Sequence, residues 1–293
     1  MSAATSRSEV SPALRSDPSP AALQRGDGAA EIAFARRGAT THVARLYQRS
    51  PCRVAFPRPD PGDPALAVLL TTSGGLAGGD RIALSVTAEP GAAATVATAA
   101  AEKIYRSLGA DCTVAVKLEA GAGAWLEWLP QETILFDRAR LRRRVGAEVA
   151  PSGRLLAAEM FVFGRVARGE LFREGLLFES WRVRRGETLV WADALRLDGD
   201  IAAALARPAS FGGADALTTI VYAGADAERH LALARDLAEA APCRAGATLV
   251  NGILLARALG GAGEVRATLA NIVGGLRHAS AGLPPSLPRV WKI

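Results

Sequence analysis

Five carboxylates stand in or beside apolar runs, where an acidic side chain needs a partner or a purpose. Asp80 closes a glycine-dense loop, and Glu132 and Asp137 flank the run from Leu129 to Phe136. Glu159 interrupts the apolar stretch from Leu155 to Phe163, and Glu170 follows Gly164-Arg165-Val166-Ala167-Arg168-Gly169. Two chemistries are open to such a set. A pair of them could do acid–base hydrolysis of the glycosidase kind, although no sugar-binding aromatic cluster accompanies them. Alternatively they are structural, with Arg165 or Arg168 as counter-ions.

Other reactive groups are sparse. His42, His230 and His278 are scattered, and Cys52, Cys112 and Cys243 have no C-x-x-C spacing. That pattern supports neither a closed zinc site nor a disulfide framework, and it fits a reducing compartment. The loop Thr71-Thr72-Ser73-Gly74-Gly75-Leu76-Ala77-Gly78-Gly79-Asp80-Arg81 invites two nucleotide readings, and both fail. Gly74 and Gly79 have P-loop spacing, but Asp80 puts a negative charge where lysine should meet phosphate. A dinucleotide fingerprint needs G-x-G, which the loop lacks. The loop is therefore a tight structural or docking feature.

The chain has 293 residues, 49% hydrophobic and 22% charged, enough to bury a substantial core. Its formal charge of +6 comes from arginine, because Lys103, Lys117 and Lys292 are its only lysines. Arg138, Arg140, Arg142, Arg143 and Arg144 form the densest basic run and raise the possibility of an RNA-binding module. Neither stacking aromatics nor a recognisable module accompanies the run, so a charged, solvated edge strand is the commoner explanation. In a strand, Arg142 and Arg144 would share one face and Arg143 would point the other way. No segment approaches the ~20 apolar residues of a membrane helix, and the N-terminus lacks a signal-like apolar core, so a cytoplasmic protein is expected.

The elements that must position these groups are mostly strands. Alternating runs at Glu31–Ala35, Thr40–Tyr47, Ile82–Thr87, Cys112–Leu118 and Leu176–Val183 are separated by Gly/Pro turns. A mainly β, layered fold of short strands is expected, with about two α-helices in the C-terminal third. Those helices are predicted from an Asp226 cap through Ala241 and from Gly263 to Ala279, while Thr248–Leu259 inclines to strand. A weak repeat sets Val86-Thr87-Ala88-Glu89-Pro90-Gly91-Ala92 against Val116-Lys117-Leu118-Glu119-Ala120-Gly121-Ala122, with a looser copy at Val149–Gly153. It suggests stacked β-hairpin units, or simply ordinary hairpin turns. Residues 1–28 read as a disordered tail, and residues 29–293 as one domain.

Taken together, five segments resemble the urease accessory protein family UreD, also called UreH. They are Gly74-Gly75-Leu76-Ala77-Gly78-Gly79-Asp80, Lys103-Ile104-Tyr105-Arg106-Ser107, Leu129-Pro130-Gln131-Glu132-Thr133-Ile134, Gly164-Arg165 with Gly169-Glu170, and Pro288-Arg289-Val290-Trp291. They occur in the family's order and cover the chain from about Glu31. Ala99–Ala101 with Glu102 depart from it, since many relatives are more polar there. The resemblance implies a β-rich, non-enzymatic protein that binds apo-urease. With UreF and the GTPase UreG, it would support assembly of the carbamylated-lysine nickel centre, passing nickel through an internal route. No tightly bound cofactor is expected, only transient Ni2+. Weak oxygen ligands suit transit better than a His/Cys cluster would, so Asp80, Glu132, Asp137, Glu159 and Glu170 are candidates to line the passage. Gly74, Gly75, Gly78, Gly79, Lys103, Tyr105 and Arg106 are candidates for architecture or partner docking. The C-terminal helices and Trp291 are candidate contacts for UreF.

Overall fold

The computed structural model describes residues 25–292. The expected tail therefore lies outside the described residues up to residue 24, while Asp27 and Gly28 open the first strand.

The chain enters on β1 (Asp27–Arg37) and returns beside it as β2 (Thr40–Arg49). Next come β3 (Cys52–Ala55) and β4 (Ala65–Thr71), an antiparallel pair. A winding section follows: β5 (Arg81–Ala88), β6 (Ala93–Thr98), β7 (Glu102–Ile104), β8 (Cys112–Ala120), β9 (Trp125–Leu129) and β10 (Thr133–Leu135). It continues through β11 (Arg140–Val149), β12 (Arg154–Arg165), β13 (Glu170–Leu171) and β14 (Glu174–Arg185). The rest is β15 (Thr188–Asp200), α1 (Ile201–Ala206), β16 (Ala216–Ala223), α2 (Leu231–Glu239), β17 (Arg244–Val250), β18 (Ile253–Gly260) and α3 (Ala262–Ala281).

The longer strands of the winding section, β5, β6, β8, β9, β11, β12 and β14, alternate between two sheets. One sheet runs β15-β14-β11-β8-β5-β1-β2, with β1, β5, β8, β11 and β14 parallel to their neighbours in that row. The other runs β17-β18-β16-β12-β9-β6-β4-β3, with β4, β6, β9 and β12 parallel; β7, β10 and β13 attach beside it. The repeat seen in the sequence is this winding. Its unit is not a hairpin, however. The two strands flanking each Gly/Pro turn, such as β5 and β6, pair with the next coil rather than with each other. The register also differs by two residues: Val86 pairs with Leu118, not Val116. A two-residue slip preserves which face each side chain takes, which is why the pattern was readable despite the wrong alignment.

Two hydrophobic layers result. Between the sheets, alternate residues interdigitate, among them Val86, Leu118, Val145 and Val183 facing Val96, Leu126 and Phe161. Behind the second sheet, α2 and α3 cover a second layer. β12 is sandwiched by both, which explains an apolar run broken only by Glu159. Leu155, Ala157, Phe161 and Phe163 enter the first layer, while Leu156, Ala158, Met160 and Val162 enter the second.

The helices differ from expectation in detail. α3 buries Val265, Leu269, Ile272, Val273 and Leu276 and ends at Gly282 in the left-handed region. Asp226 leads first into a 3-10 turn, Ala227–His230, rather than capping α2 directly. Its carboxylate is already taken by the Tyr222 hydroxyl (2.7 Å) and His230 (3.2 Å). Thr248–Leu259 is a hairpin, β17–β18, turned at Asn251-Gly252. The arginine run is no edge strand. β11 is central, flanked by β8 and β14. Arg140 and Arg142 are held there by Asp111, whose carboxyl the two guanidiniums keep below its usual range even against partial burial.

Candidate functional site

The glycine loop is the arch that carries the chain from β4 in one sheet to β5 in the other. Two of its glycines make room for the neighbouring segment. A Cβ on Gly75 would lie 2.7 Å from the Tyr105 ring and 2.8 Å from the Lys103 carbonyl, and its φ of +153° is one L side chains rarely adopt. A Cβ on Gly78 would fall on the Ser107 hydroxyl and the Ala110 carbonyl. So the loop lies directly on Lys103–Ser107. Leu76 donates to Lys103 (2.7 Å), Tyr105 donates back to Leu76 (2.8 Å), and the Tyr105 hydroxyl donates to the Gly74 carbonyl (2.9 Å). Gly79 donates to Asp111 (3.1 Å).

Asp80 is buried and fixes this arch. One carboxylate oxygen accepts from the Gly26 amide and the other from the Ala77 amide, each at 2.7 Å. The geometry is that of a carboxylate closing its own turn.

The next segments stack on the first. β10 pairs with β7, matching Thr133 to Glu102 and Ile134 to Lys103. Phe136 meets Tyr105 edge-on at 5.1 Å, and the Arg165 guanidinium lies 4.4 Å over the Phe136 ring. Arg165 donates to Glu170 through Nε (2.6 Å), and the other Glu170 oxygen accepts from the Asp137 amide (2.9 Å). Asp137 in turn accepts from the amides of Arg173 (2.8 Å) and Glu174 (3.2 Å). Tyr105, Arg106, Phe136, Asp137, Arg165 and Glu170 thus share one surface depression.

The C-terminal segment clasps the Leu129–Ile134 stretch from the helix side. The buried Trp291 donates its indole N–H to the Leu129 carbonyl (3.0 Å), and Gln131 donates to the Val290 carbonyl (2.9 Å). Arg266 lies 4.5 Å over the Trp291 ring and pairs with Glu132. Four of the five sequence segments are therefore joined in a row by named bonds, and Arg165 and Glu170 attach through Phe136 and Asp137, just past the third.

Between the sheets lies a cavity of about 230 Å³. Exposed Ala99, Ala100 and Lys103 line one side, and buried Arg143 and Glu159 line the other. Glu159 is ion-paired to Arg143 and accepts from the Trp128 indole (2.8 Å). Glu102, at the exposed side, accepts from the Thr71 hydroxyl (2.6 Å), and burial pushes its carboxyl upward. Beside Arg143 in register stands Glu179, buried and accepting from the Trp181 indole (3.0 Å). Its carboxyl is pushed up to about 8, by burial first and then by the neighbouring Glu159 charge. Inside the sandwich Arg143 is thus ion-paired to Glu159, with Glu179 next to it in register. The thiols of Cys52 and Cys112, on or beside this space, are pushed by burial to about 11 and about 12 and stay protonated at neutral pH.

Of the five carboxylates singled out in the sequence, only Glu159 lines this cavity. Asp80, Asp137 and Glu170 bind backbone amides in the rim, and Glu132 faces Arg266. Asp137 and Glu170 are brought together; the others are not. Among the described residues, no three His, Cys, Asp or Glu side chains converge to hold a metal ion. Arg143 and Glu179 were missed as site residues. The signal existed, because Glu179 shares its parity with Leu177, Trp181 and Val183 and so had to point inward.

No helix among the described residues is long and apolar enough to cross a membrane. The model of the UreD urease accessory protein family matches residues 26–292, the span in which all five segments lie. The chain is 48% identical to urease accessory protein UreD 1 of Methylobacterium radiotolerans, covering 92% of this chain and 93% of the relative. It is 44% identical to urease accessory protein UreD of Xanthobacter autotrophicus (99% and 98% covered) and of Magnetococcus marinus (91% and 94% covered). The chain belongs to the UreD urease accessory protein family.

Proposed function

We propose that the protein is a cytoplasmic assembly factor rather than an enzyme. It binds apo-urease and, with UreF and the GTPase UreG, supports nickel insertion by scaffolding the complex and giving Ni2+ a passage. The observation that supports the passage is the polar seam between the sheets, where Glu102 and Glu159 line the cavity together with Lys103 and Arg143, and Glu179 stands beside Arg143 in register. Carboxylate oxygens in an otherwise apolar interior offer a divalent cation ligands without the strong grip of thiolate or imidazole. This reading keeps Glu159 for the passage and gives Asp80, Glu132, Asp137 and Glu170 to the scaffold, because their oxygens already hold backbone amides or Arg266. The rim of Tyr105, Arg106 and Arg165 is the candidate docking face, with residue types enriched at interfaces.

The test is co-expression with UreF, UreG and apo-urease. Glu102→Gln, Glu159→Gln and Glu179→Leu are expected to leave the complexes intact while urease nickel content and activity fall. Full nickel loading with all three variants would remove the passage. Failure of the wild-type chain to copurify with these partners would remove the assembly role itself.

A further inference from the structure

We infer that the free edge of β2 is a docking strand for an extended protein segment in which acidic and apolar residues alternate. The inference goes beyond the assembly reading and requires neither nickel nor a particular partner.

Among the described residues, β2 is the last strand of its sheet and pairs only with β1. Nine of its ten residues are exposed, Thr41 alone being half-buried, so it presents both faces and a free backbone edge. An uncovered edge of this length is a template for strand addition unless something covers it.

Register sorts its two faces. Leu46 and Val43 pair with Ile32 and Phe34, which enter the inter-sheet core, so they stand on the core side. Both are exposed nonetheless, because β3, the last strand of the facing sheet, spans only Cys52–Ala55. On that same side, Thr41 accepts from the Ala93 amide (2.9 Å) and Gln48 from the Val54 amide (2.9 Å), so the apolar pair lies over the open end of the sandwich. Arg45, Tyr47 and Arg49 pair with Ala33, Glu31 and Ala29 and take the outer face.

Charge selects the occupant. From Ile32 to Pro59 the chain carries no Asp or Glu, but has Arg36, Arg37, Arg45, Arg49, Arg53 and Arg58, all exposed. Among the described residues, Arg49 alone of the six is in an ion pair, with Asp27. A second copy would bring a like-charged edge against this one, and like charges across a pair of strands repel. Residues 1–24 hold Arg7 and Arg15 against Glu9 and Asp17 and offer no net negative charge. An added strand with acidic side chains outward and apolar ones inward satisfies the backbone edge, the arginines, and Val43 with Leu46 together. RNA would satisfy the arginines alone.

The test uses the full chain and the acetylated, amidated peptide (Glu-Val)5, read by hydrogen exchange of the β2 amides and by titration. Expected are slowed exchange across β2, weakening with added salt, and an affinity loss of about tenfold in each of Arg45→Glu and Leu46→Lys. Both residues are exposed, so wild-type melting is expected for both variants. Unchanged β2 exchange, equal binding of (Lys-Val)5, or β2 protection by single-stranded RNA in competition with the acidic peptide would overturn the proposal. So would β2 protection that rises with protein concentration alone, which would assign the edge to a second copy.

Discussion

Arg143 and Glu179 stand side by side in parallel register on β11 and β14, and both face the inter-sheet core. Glu159 reaches Arg143 from the opposite sheet. One guanidinium therefore joins the two sheets, ion-paired to Glu159 across the core and beside Glu179 in register. Replacing it by Met strands Glu159 in an apolar interior, which costs about 3–5 kcal/mol when a buried pair is broken. Urea unfolding of Arg143→Met is expected to show that loss, and adding Glu159→Gln to recover part of it. A loss below about 1 kcal/mol would mean that water, not Arg143, compensates Glu159.

Glu179 adds a pH dependence whose sign is fixed. Its carboxyl titrates near 8 in the folded chain, against 4.5 for an ordinary glutamate. Below the ordinary value both states are protonated, and the stability is fully present. As pH rises towards 8, the unfolded chain gives up this proton while the folded chain holds it, so stability falls. Glu179→Gln keeps the acceptor for Trp181 and removes the titration. Between pH 5 and pH 8 the wild type is expected to lose about 3 kcal/mol relative to the variant. Parallel denaturation curves at the two pH values check it, and a constant difference would place Glu179 in a wetter setting.

How much of this was legible in the sequence depended on periodicity. The parity of Ile82–Thr87, Cys112–Leu118 and Leu176–Val183 reports which residues face inward, and it survives a two-residue error in the repeat. What parity cannot report is which strand lies across the gap. Val86-Thr87-Ala88 and the strand after Pro90 read as a hairpin because a turn joins them, yet they belong to different sheets. The same blindness hid the partner of each carboxylate. Glu159 meets Arg143, 16 residues away, only because consecutive strands alternate sheets. Asp80 reads as a possible cation ligand in the sequence, and only the fold brings the Gly26 amide to it from 54 residues away.

That bond gives Asp80 its own test. Asp80→Ala leaves the Gly26 and Ala77 amides without their acceptor, a cost of about 1–3 kcal/mol for each group left buried and unpaired. Asp80→Asn keeps one oxygen acceptor and is expected to lose roughly half as much. Thermal unfolding of the two variants compares them directly. If Asp80 served only a passing cation, stability would be unchanged in both.

Arg277 shows how the helix layer is locked to the sheet. It is wholly buried on α3, donating to Glu127 on β9 (2.7 Å) and to Asp63 (2.9 Å), with the Pro284 carbonyl as a further acceptor (3.1 Å). Burial alone would lower its pKa, but the Glu127 and Asp63 carboxylates outweigh it and raise it further. Those contacts require a fork of donors pointing in different directions, which guanidinium has and ammonium lacks. Arg277→Met is expected to destabilise by about 3–5 kcal/mol, because Glu127 is left charged and buried. Arg277→Lys keeps the charge but reaches fewer of these acceptors, so an intermediate loss is expected. Hydrogen exchange separates this lock from a general loss of stability. In both variants, amides of α3 and of β9 beside Glu127 are expected to exchange faster than those of β8 and β11 in the other sheet. Uniform acceleration across both sheets would show that Arg277 supports the whole fold rather than the seam between α3 and β9.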